Sequence, residues 1–328
     1  MIQNKVSGVK YTIAVVIPAY KVGKKLESLL SQITSEVDQI YVIDDACPEQ
    51  TGVRSASNSQ DSRVFLITHE ENLGVGGATI SGYRKAIEAK ADIIVKLDGD
   101  GQMDPKLIKQ LVNPIVENDA DYVKGNRFFN IEEVRAMPKV RILGNIILSF
   151  YSKLSSGYWN IFDPNNGFTA IHKETLKVLP LEKISKRYFF ESDMLFRLNL
   201  ARAKVVDMPM TAVYNDEKSN LSIKRTVIEF PIKHIRNLVK RIAYSYYLRD
   251  FTLASVELLL GTLLCVFGLV TGIYNWIHSA SLQRPTTTGT LILVAMAILS
   301  GIQLILSFTS YDMNSVPKEA RSKFSKSA

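Results

Sequence analysis

Apolar residues follow two different rhythms along this chain, and the change between them divides it. Residues 11–20 hold a β-branched run ending at Pro18, which predicts a buried strand. Helical spacing follows over 24–35, with Leu26, Leu29, Leu30 and Ile33. Further strand-like runs lie at 38–43, 63–67 and 92–97. Between them come a polar stretch leading into a short helix at 47–60 and a helix at 72–90 carrying Ala78, Tyr83, Ala86 and Ile87. Asp104-Pro105 opens another helix, with Leu107, Leu111 and Ile115. Near-continuous apolar strands alternating with helices predict an α/β domain whose mostly parallel central sheet is covered on both faces. The next stretch is less regular, with strands expected over 121–130, 166–171 and 203–208 and helices over 138–156 and around 191–201. No Pro/Ser-rich linker interrupts it, so residues 1–221 read as one domain.

The rhythm changes at 222–250. Ile232, Ile235, Val239, Ile242 and Tyr246 recur every three or four residues after Pro231, which suits a helix first turn, while Lys233, Arg236, Lys240 and Arg241 fill another face. This pattern fits a basic amphipathic helix at a lipid headgroup boundary, or a solvated charged face. Residues 251–275 hold one charge, Glu257, and residues 288–309 hold none. Each is long enough to cross an apolar slab of about 30 Å. The joining loop, 276–287, is short and has a single basic residue, and a basic tail, 310–328, follows the second span. The positive-inside rule then puts both ends of the hairpin, and the first domain, on the cytoplasmic side of a bacterial or archaeal inner membrane or its equivalent. The N-terminal apolar run is too short for a signal peptide. Glu257 is expected either to reach the interface or to face a partner helix.

Charge reinforces this division. The formal net charge is +8, yet residues 1–221 hold 28 Lys and Arg against 27 Asp and Glu, while residues 222–250 hold 7 against 2. The excess lies beside the apolar spans, which points to anionic lipid and away from nucleic acid. Only two cysteines are present, Cys47 and Cys265, so neither a disulfide framework nor a Cys/His metal spacing exists. Their use fits a reducing compartment.

The strongest local chemistry is KLDGDGQMDP, residues 96–105, where a strand delivers Asp98 and Asp100 into a Gly-rich turn. Two hard oxygen ligands on one side of an extended segment suit Mg²⁺ or Mn²⁺ with a diphosphate completing the shell; a helix-capping turn is the plainer reading. Asp44-Asp45 ends another strand. There it could accept hydrogen bonds from a nucleotide base or ribose, or cap the following segment. Both acidic pairs fall at C-terminal strand ends, where open α/β sheets place ligands.

With these motifs in place, the chain resembles family 2 glycosyltransferases of the GT-A fold, and among them the membrane-anchored polyprenyl-phosphate (dolichyl-phosphate) group. The resemblance rests on VVIPAYKVGKKLESLL (15–30), YVIDDACPEQTG (41–52), HEENLGVGGATISGYRKAI (69–87), ADIIVKLDGDGQMDP (91–105), KGNRFF (124–129) and DPNNGFTAIHKETLK (163–177). It implies that Pro18, Ala19, Tyr20, Asp44 and Asp45 contact the nucleotide, that Asp98 and Asp100 hold the metal and diphosphate, and that Gln102 follows them. It implies Arg127 near the acceptor phosphate, Asp163 or Asp193 near catalysis beside Glu191, and Lys218 and Ser219 in a segment folding over the phosphates. The implied reaction is inverting, metal-dependent transfer of one sugar from a nucleotide sugar, UDP-linked or GDP-linked, to polyprenyl phosphate. Another lipid or lipid-linked oligosaccharide acceptor is the alternative, and a scaffold with a degenerate domain would have lost its metal ligands. Val75 stands where relatives often carry lysine, and the Gln-x-x-Arg-Trp motif of processive synthases is absent. Hairpin anchors also leave a homo-oligomer open.

Overall fold

The computed structural model describes residues 2–3, 10–129, 139–211 and 223–321. These fall into two compact units. The first comprises residues up to Leu238 together with the segment from Val316 onward, and the second spans Val239–Ser315.

The first unit is built on a seven-stranded sheet. Its strands are β3 (Ile13–Ala19), β4 (Gln39–Asp44), β5 (Val64–Thr68), β6 (Ile93–Lys96), β7 (Tyr122–Asn126), β8 (Thr169–His172) and β9 (Val205–Pro209), in the order β5-β4-β3-β6-β8-β7-β9. Two short strands, β1 (Ile2–Gln3) and β2 (Lys10–Tyr11), pair separately and antiparallel. Strands β3 to β6 pair parallel, as do β7 and β9. Strand β8 is antiparallel to both neighbours, so the sheet is mixed. The expected stretch 166–171 becomes a strand only from Thr169, because Asp163–Gly167 are drawn into a loop against the site.

Alternation along β3 splits the core between two faces. Ile13, Val15 and Ile17 pack with α1 (Lys25–Gln32) and α4 (Ile108–Val116). Ala14 and Val16 face α3 (Gly74–Glu88) and the helix Phe190–Leu200, here α7. That division follows from the two-residue period of a strand. Helix α3 lies so close to the sheet that a Cβ added at Gly82 would run into Val16. The other helices of this unit are α2 (Thr51–Asn58), α5 (Lys139–Ser156), α6 (Lys173–Lys177) and α8 (Ile223–Ile242), whose last residues belong to the second unit. Pro231 sits inside α8, not in a first turn.

The chain returns to this unit after the anchor. The Asp121 carboxylate accepts the backbone N–H groups of Lys204 and of Arg321, each at 2.8 Å. Ala320 is fully buried. Residues 316–321, which fall in the tail by sequence, therefore pack as part of the α/β unit.

In the second unit a π-helical turn (Ala243–Arg249) leads to α9 (Leu253–Leu282) and α10 (Thr288–Asn314), two apolar helices of membrane-spanning length that form a multi-pass anchor. Both run beyond the expected spans, leaving only residues 283–287 between them. Close approach is permitted by glycine: a Cβ at Gly261 would stand 2.9 Å from the Gly301 carbonyl. Glu257 accepts a hydrogen bond from the Ser307 hydroxyl at 2.9 Å, so it faces its partner helix. Arg241, expected on a headgroup-facing side, is instead buried and held in a two-pronged pair by Asp312 at 2.5 and 3.0 Å. Tyr246 adds a third bond to Asp312 at 2.6 Å, since a buried carboxylate needs every donor it can gather. With basic residues at the outer ends of the hairpin, the positive-inside rule keeps the catalytic domain cytoplasmic.

His234 of α8 joins that helix to α5. Its Nδ1 lies 2.7 Å from the Ser155 hydroxyl, and its ring stacks on Tyr151 and meets Phe189 edge-on. Burial pulls the imidazole down to about 4. The unfolded chain therefore binds this proton first as pH falls, and stability drops between about pH 6.5 and 4, by about 3 kcal/mol. Changing His234→Phe should flatten that part of the stability–pH curve, followed by thermal melting across the window; an unaltered slope would show that His234 does not set it.

Candidate active site

Strand ends bring the acidic residues to one edge of the sheet but use them differently. Asp44 closes β4 and is 1% exposed. Its Oδ1 accepts the N–H of Cys47 at 2.8 Å, and its Oδ2 accepts those of Gly52 and Val53 at 2.9 and 3.2 Å. It caps the start of α2, as the plainer of the two readings expects. Asp45 is equally committed. Its Oδ1 meets His69 Nδ1 at 2.8 Å and the Leu73 N–H at 2.9 Å, and its Oδ2 accepts the Gly74 N–H at 2.8 Å. Both aspartates thus fix the loops around the β3 end, and neither turns a carboxylate outward. Pro18 and Ala19 are buried at that end, while Tyr20 is exposed beside Lys21.

The Asp98-Gly99-Asp100 turn behaves otherwise. Asp98 is partly exposed, and its Oδ1 receives the Lys96 ammonium at 2.6 Å. Among the described residues Asp100 accepts only the Gln102 N–H, at 3.0 Å. Burial, and after it the Asp98 charge, hold the Asp100 carboxyl above the usual carboxylate range. Asp98 and Asp100 are neighbouring carboxylates, and the Lys96 ammonium that pairs with Asp98 is shared with Glu191, so the turn keeps net negative charge. That is the donor set a hard divalent cation fits. Among the described residues no group of three His, Cys, Asp or Glu could close around an ion. Gly101, at φ +75°, supplies the left-handed turn, and Asp104 caps the short helical turn at Pro105–Leu107 that follows.

Lys96 is the functional residue that sequence reasoning missed. It is fully buried on β6, and its ammonium reaches Asp98, Glu191 Oε1 at 3.0 Å and the Gly167 carbonyl at 3.4 Å. Burial lowers its pKa, but the Asp98 and Glu191 charges outweigh that and keep it charged. A Cβ at Gly167 would strike both Asp98 and Lys96, so glycine lets the 163–168 loop close against the turn. The lysine in KLDGD was visible, two residues before Asp98; its partner Glu191, about a hundred residues away, was not.

On the other side of that loop Arg127 makes a two-pronged pair with Asp163, Nε to Oδ2 at 2.7 Å and Nη2 to Oδ1 at 2.9 Å. Burial would raise the Asp163 carboxyl, yet Arg127 holds it below the ordinary range. A carboxylate so placed is a poor proton acceptor, and its two-pronged pair suits it to orienting Arg127. Lys124, also fully buried, donates to the Asn166 carbonyl, and burial brings its pKa down to about 8 against the pull of Asp163, Glu191 and Asp207. Asp193 points elsewhere. Its oxygens take Asn237 Nδ2 and the Ser185 N–H, both at 2.9 Å, so it braces α8 and a loop. Glu191, two residues earlier, takes the inward position. Lys218 and Ser219 lie outside the described residues.

Residues 14–179 match the family described as Glycosyl transferase family 2. The chain belongs to that family. This family 2 glycosyltransferase is 33% identical over 218 residues to the UDP-N-acetylglucosamine–dolichyl-phosphate N-acetylglucosaminyltransferase of Methanococcus voltae, which covers 62% of this chain and 86% of that protein. It is 30% identical over 202 residues to the undecaprenyl-phosphate mannosyltransferase of Micrococcus luteus, covering 60% and 82%. Among solved structures it is similar to glucosyl-3-phosphoglycerate synthase from Mycobacterium tuberculosis in complex with Mn²⁺, UDP and phosphoglyceric acid. The TM-score is 0.52 at 19% identity, with 70% of this chain and 78% of that one covered. That likeness establishes the GT-A fold. The enzyme transfers a sugar from a nucleotide sugar.

Removing Lys96 should leave Glu191 buried without its counter-ion. Lys96→Met is expected to lower the melting midpoint by the equivalent of about 3–5 kcal/mol. Changing Glu191→Met as well should recover part of the loss, because the pair is then removed together. Equal losses in the single and double variants, read by near-ultraviolet circular dichroism melting, would show that the two do not act as a pair.

Proposed function

We propose that this glycosyltransferase moves a single sugar from a nucleoside-diphosphate sugar to the phosphate of a polyprenyl phosphate at the cytoplasmic face of the membrane, inverting the anomeric centre. The observation that carries this reading is one loop, 163–168, that lies against the Asp98-Gly99-Asp100 turn through Gly167 and orients Arg127 through Asp163. A diphosphate-leaving side and an anion-receiving side thereby share one wall. The two relatives with lipid-phosphate acceptors support the acceptor, and the UDP-sugar in the name of the first supports a UDP-linked donor.

Asp98 and Asp100 are the residues that would hold a divalent cation, Mg²⁺ or Mn²⁺, whose charge would stabilise the departing nucleoside diphosphate. Lys96 keeps Asp98 in place and limits its movement. Arg127, its fork fixed by Asp163, receives the lipid phosphate and offsets its repulsion from the donor. Gln102 lies beside the metal turn, and Lys218 and Ser219 are assigned to the phosphate-covering segment by resemblance alone. The acceptor phosphate, with a second pKa of about 6, is already anionic. Its oxygen attacks the anomeric carbon as the carbon–oxygen bond to the diphosphate breaks. No side chain has to remove a proton, which agrees with the depressed carboxyl of Asp163. The exposed stripe of α8, Ile228, Ile232 and Ile235, with Arg236 also exposed, suits the headgroup region of anionic lipid.

The test is turnover by the purified full chain with a panel of nucleotide sugars, a C55-type polyprenyl phosphate and Mg²⁺ or Mn²⁺, with products read by mass. A glycosyl polyprenyl phosphate from one donor is expected. Release of nucleotide only with a different lipid acceptor would replace the acceptor reading. Asp100→Asn should abolish transfer while the protein still inserts into membranes; turnover near the parent level would remove the metal role from Asp100.

A further inference from the structure

Helix α5 is turned inside out. A helix on a water-facing domain buries its aliphatic side chains and exposes its polar ones. In α5 the serines are inside: Ser149, Ser152, Ser155 and Ser156 are each at most 3% exposed. Leu143, Ile146, Ile147 and Phe150 are outside, at 47–59% exposure. Their spacing of three, four and seven residues from Leu143 makes one continuous stripe. A Cβ added at Gly144, beside them, would meet nothing within 4 Å. Helix α8, which touches α5 through His234, repeats the arrangement. On α8 the residues Phe230, His234 and Asn237 face inward, and Ile228, Ile232 and Ile235 are 55–67% exposed. The contact between the two helices is made by Ser155, Tyr151 and His234, and neither helix spends its aliphatic stripe on it.

We propose that α5 is a second lipid-contacting element of the catalytic unit, lying in the headgroup layer of an anionic bilayer with its Leu143–Phe150 stripe toward the acyl chains. Three observations select lipid as the occupant. The chain runs from α8 directly into two membrane-spanning helices, so a bilayer is tethered to the unit at all times. The first turn of α5 holds Lys139 and Arg141, and the helix has no acidic residue, although residues 1–221 are nearly balanced at 28 against 27; its third basic residue, Lys153, is turned to the Trp159 carbonyl. Basic charge combined with an outward aliphatic stripe is what binds an interfacial helix to anionic lipid. Helix α5 is also bracketed in the chain by Arg127 and Asp163, the two members of one ion pair. Lipid contact at α5 thus bears on the segment that carries the proposed acceptor arginine. The proposal stands on the anchor and on the exposure of α5, and is independent of which lipid accepts the sugar.

The test uses the full chain with Cys47→Ala and Cys265→Ala, carrying Ile147→Cys, Phe150→Cys or, as a control on the exposed side of α4, Lys109→Cys, each labelled with the fluorophore NBD. Protein is placed one copy per nanodisc in phosphatidylcholine with phosphatidylglycerol. Labels at positions 147 and 150 should emit blue-shifted light and bleach slowly with dithionite, while the label at 109 emits and bleaches as in water. Bleaching at 147 and 150 as fast as at 109 would overturn the proposal. Shielding found only in discs holding two copies would assign the stripe to self-association and overturn it equally.

Discussion

A single ammonium group, that of Lys96, holds the two halves of the catalytic unit in register. It ends β6, in the middle of the sheet, with no access to water. From there it reaches the metal-type turn at Asp98, the loop carbonyl of Gly167 and the carboxylate of Glu191 on α7. A charge so deeply buried is tolerable only when surrounded by acceptors, and those acceptors come from three separate segments. The requirement that they converge shapes the rest of the site. Gly167 must lack a side chain, Glu191 must face inward, and Asp193 is left to brace α8.

Much of the first half was legible in the sequence because its information is local. The strand runs, the helix stripes and the acidic residues at strand ends all sit within a few residues of what they determine. The strand β8 was legible as a strand but not in direction, since an antiparallel insertion is decided by the loops that deliver it. The aspartate pairs show the limit most clearly. Asp44, Asp45, Asp98 and Asp100 look alike in sequence, each acidic at the end of an apolar strand. What separates them is whether nearby N–H groups are already turned toward them. The first two find theirs on Cys47, Gly52, Leu73 and Gly74. Asp100 finds one among the described residues.

Long-range pairing was the other unreadable part. Arg127 with Asp163, Lys96 with Glu191, and Arg241 with Asp312 each join residues far apart in the chain. Periodicity revealed the helix containing Arg241 but placed the residue on a lipid-facing side. The buried carboxylate of Asp312, at the far end of the hairpin, draws it inward instead. Helix α5 misleads in the opposite way. Its stripe of aliphatic residues looks like a core-facing stripe, and only the burial of the four serines shows which side faces out.

The bond from the Arg321 N–H to Asp121 gives the anchor a different standing in the chain. The α/β unit is discontinuous: it begins before the hairpin and is closed by residues that follow it. During synthesis the Asp121 cap can be completed only after both apolar helices have left the ribosome and the chain has doubled back. The last step of domain assembly therefore waits for synthesis of the whole hairpin. A chain shortened before the hairpin to gain solubility would also lose the strap that finishes the catalytic unit.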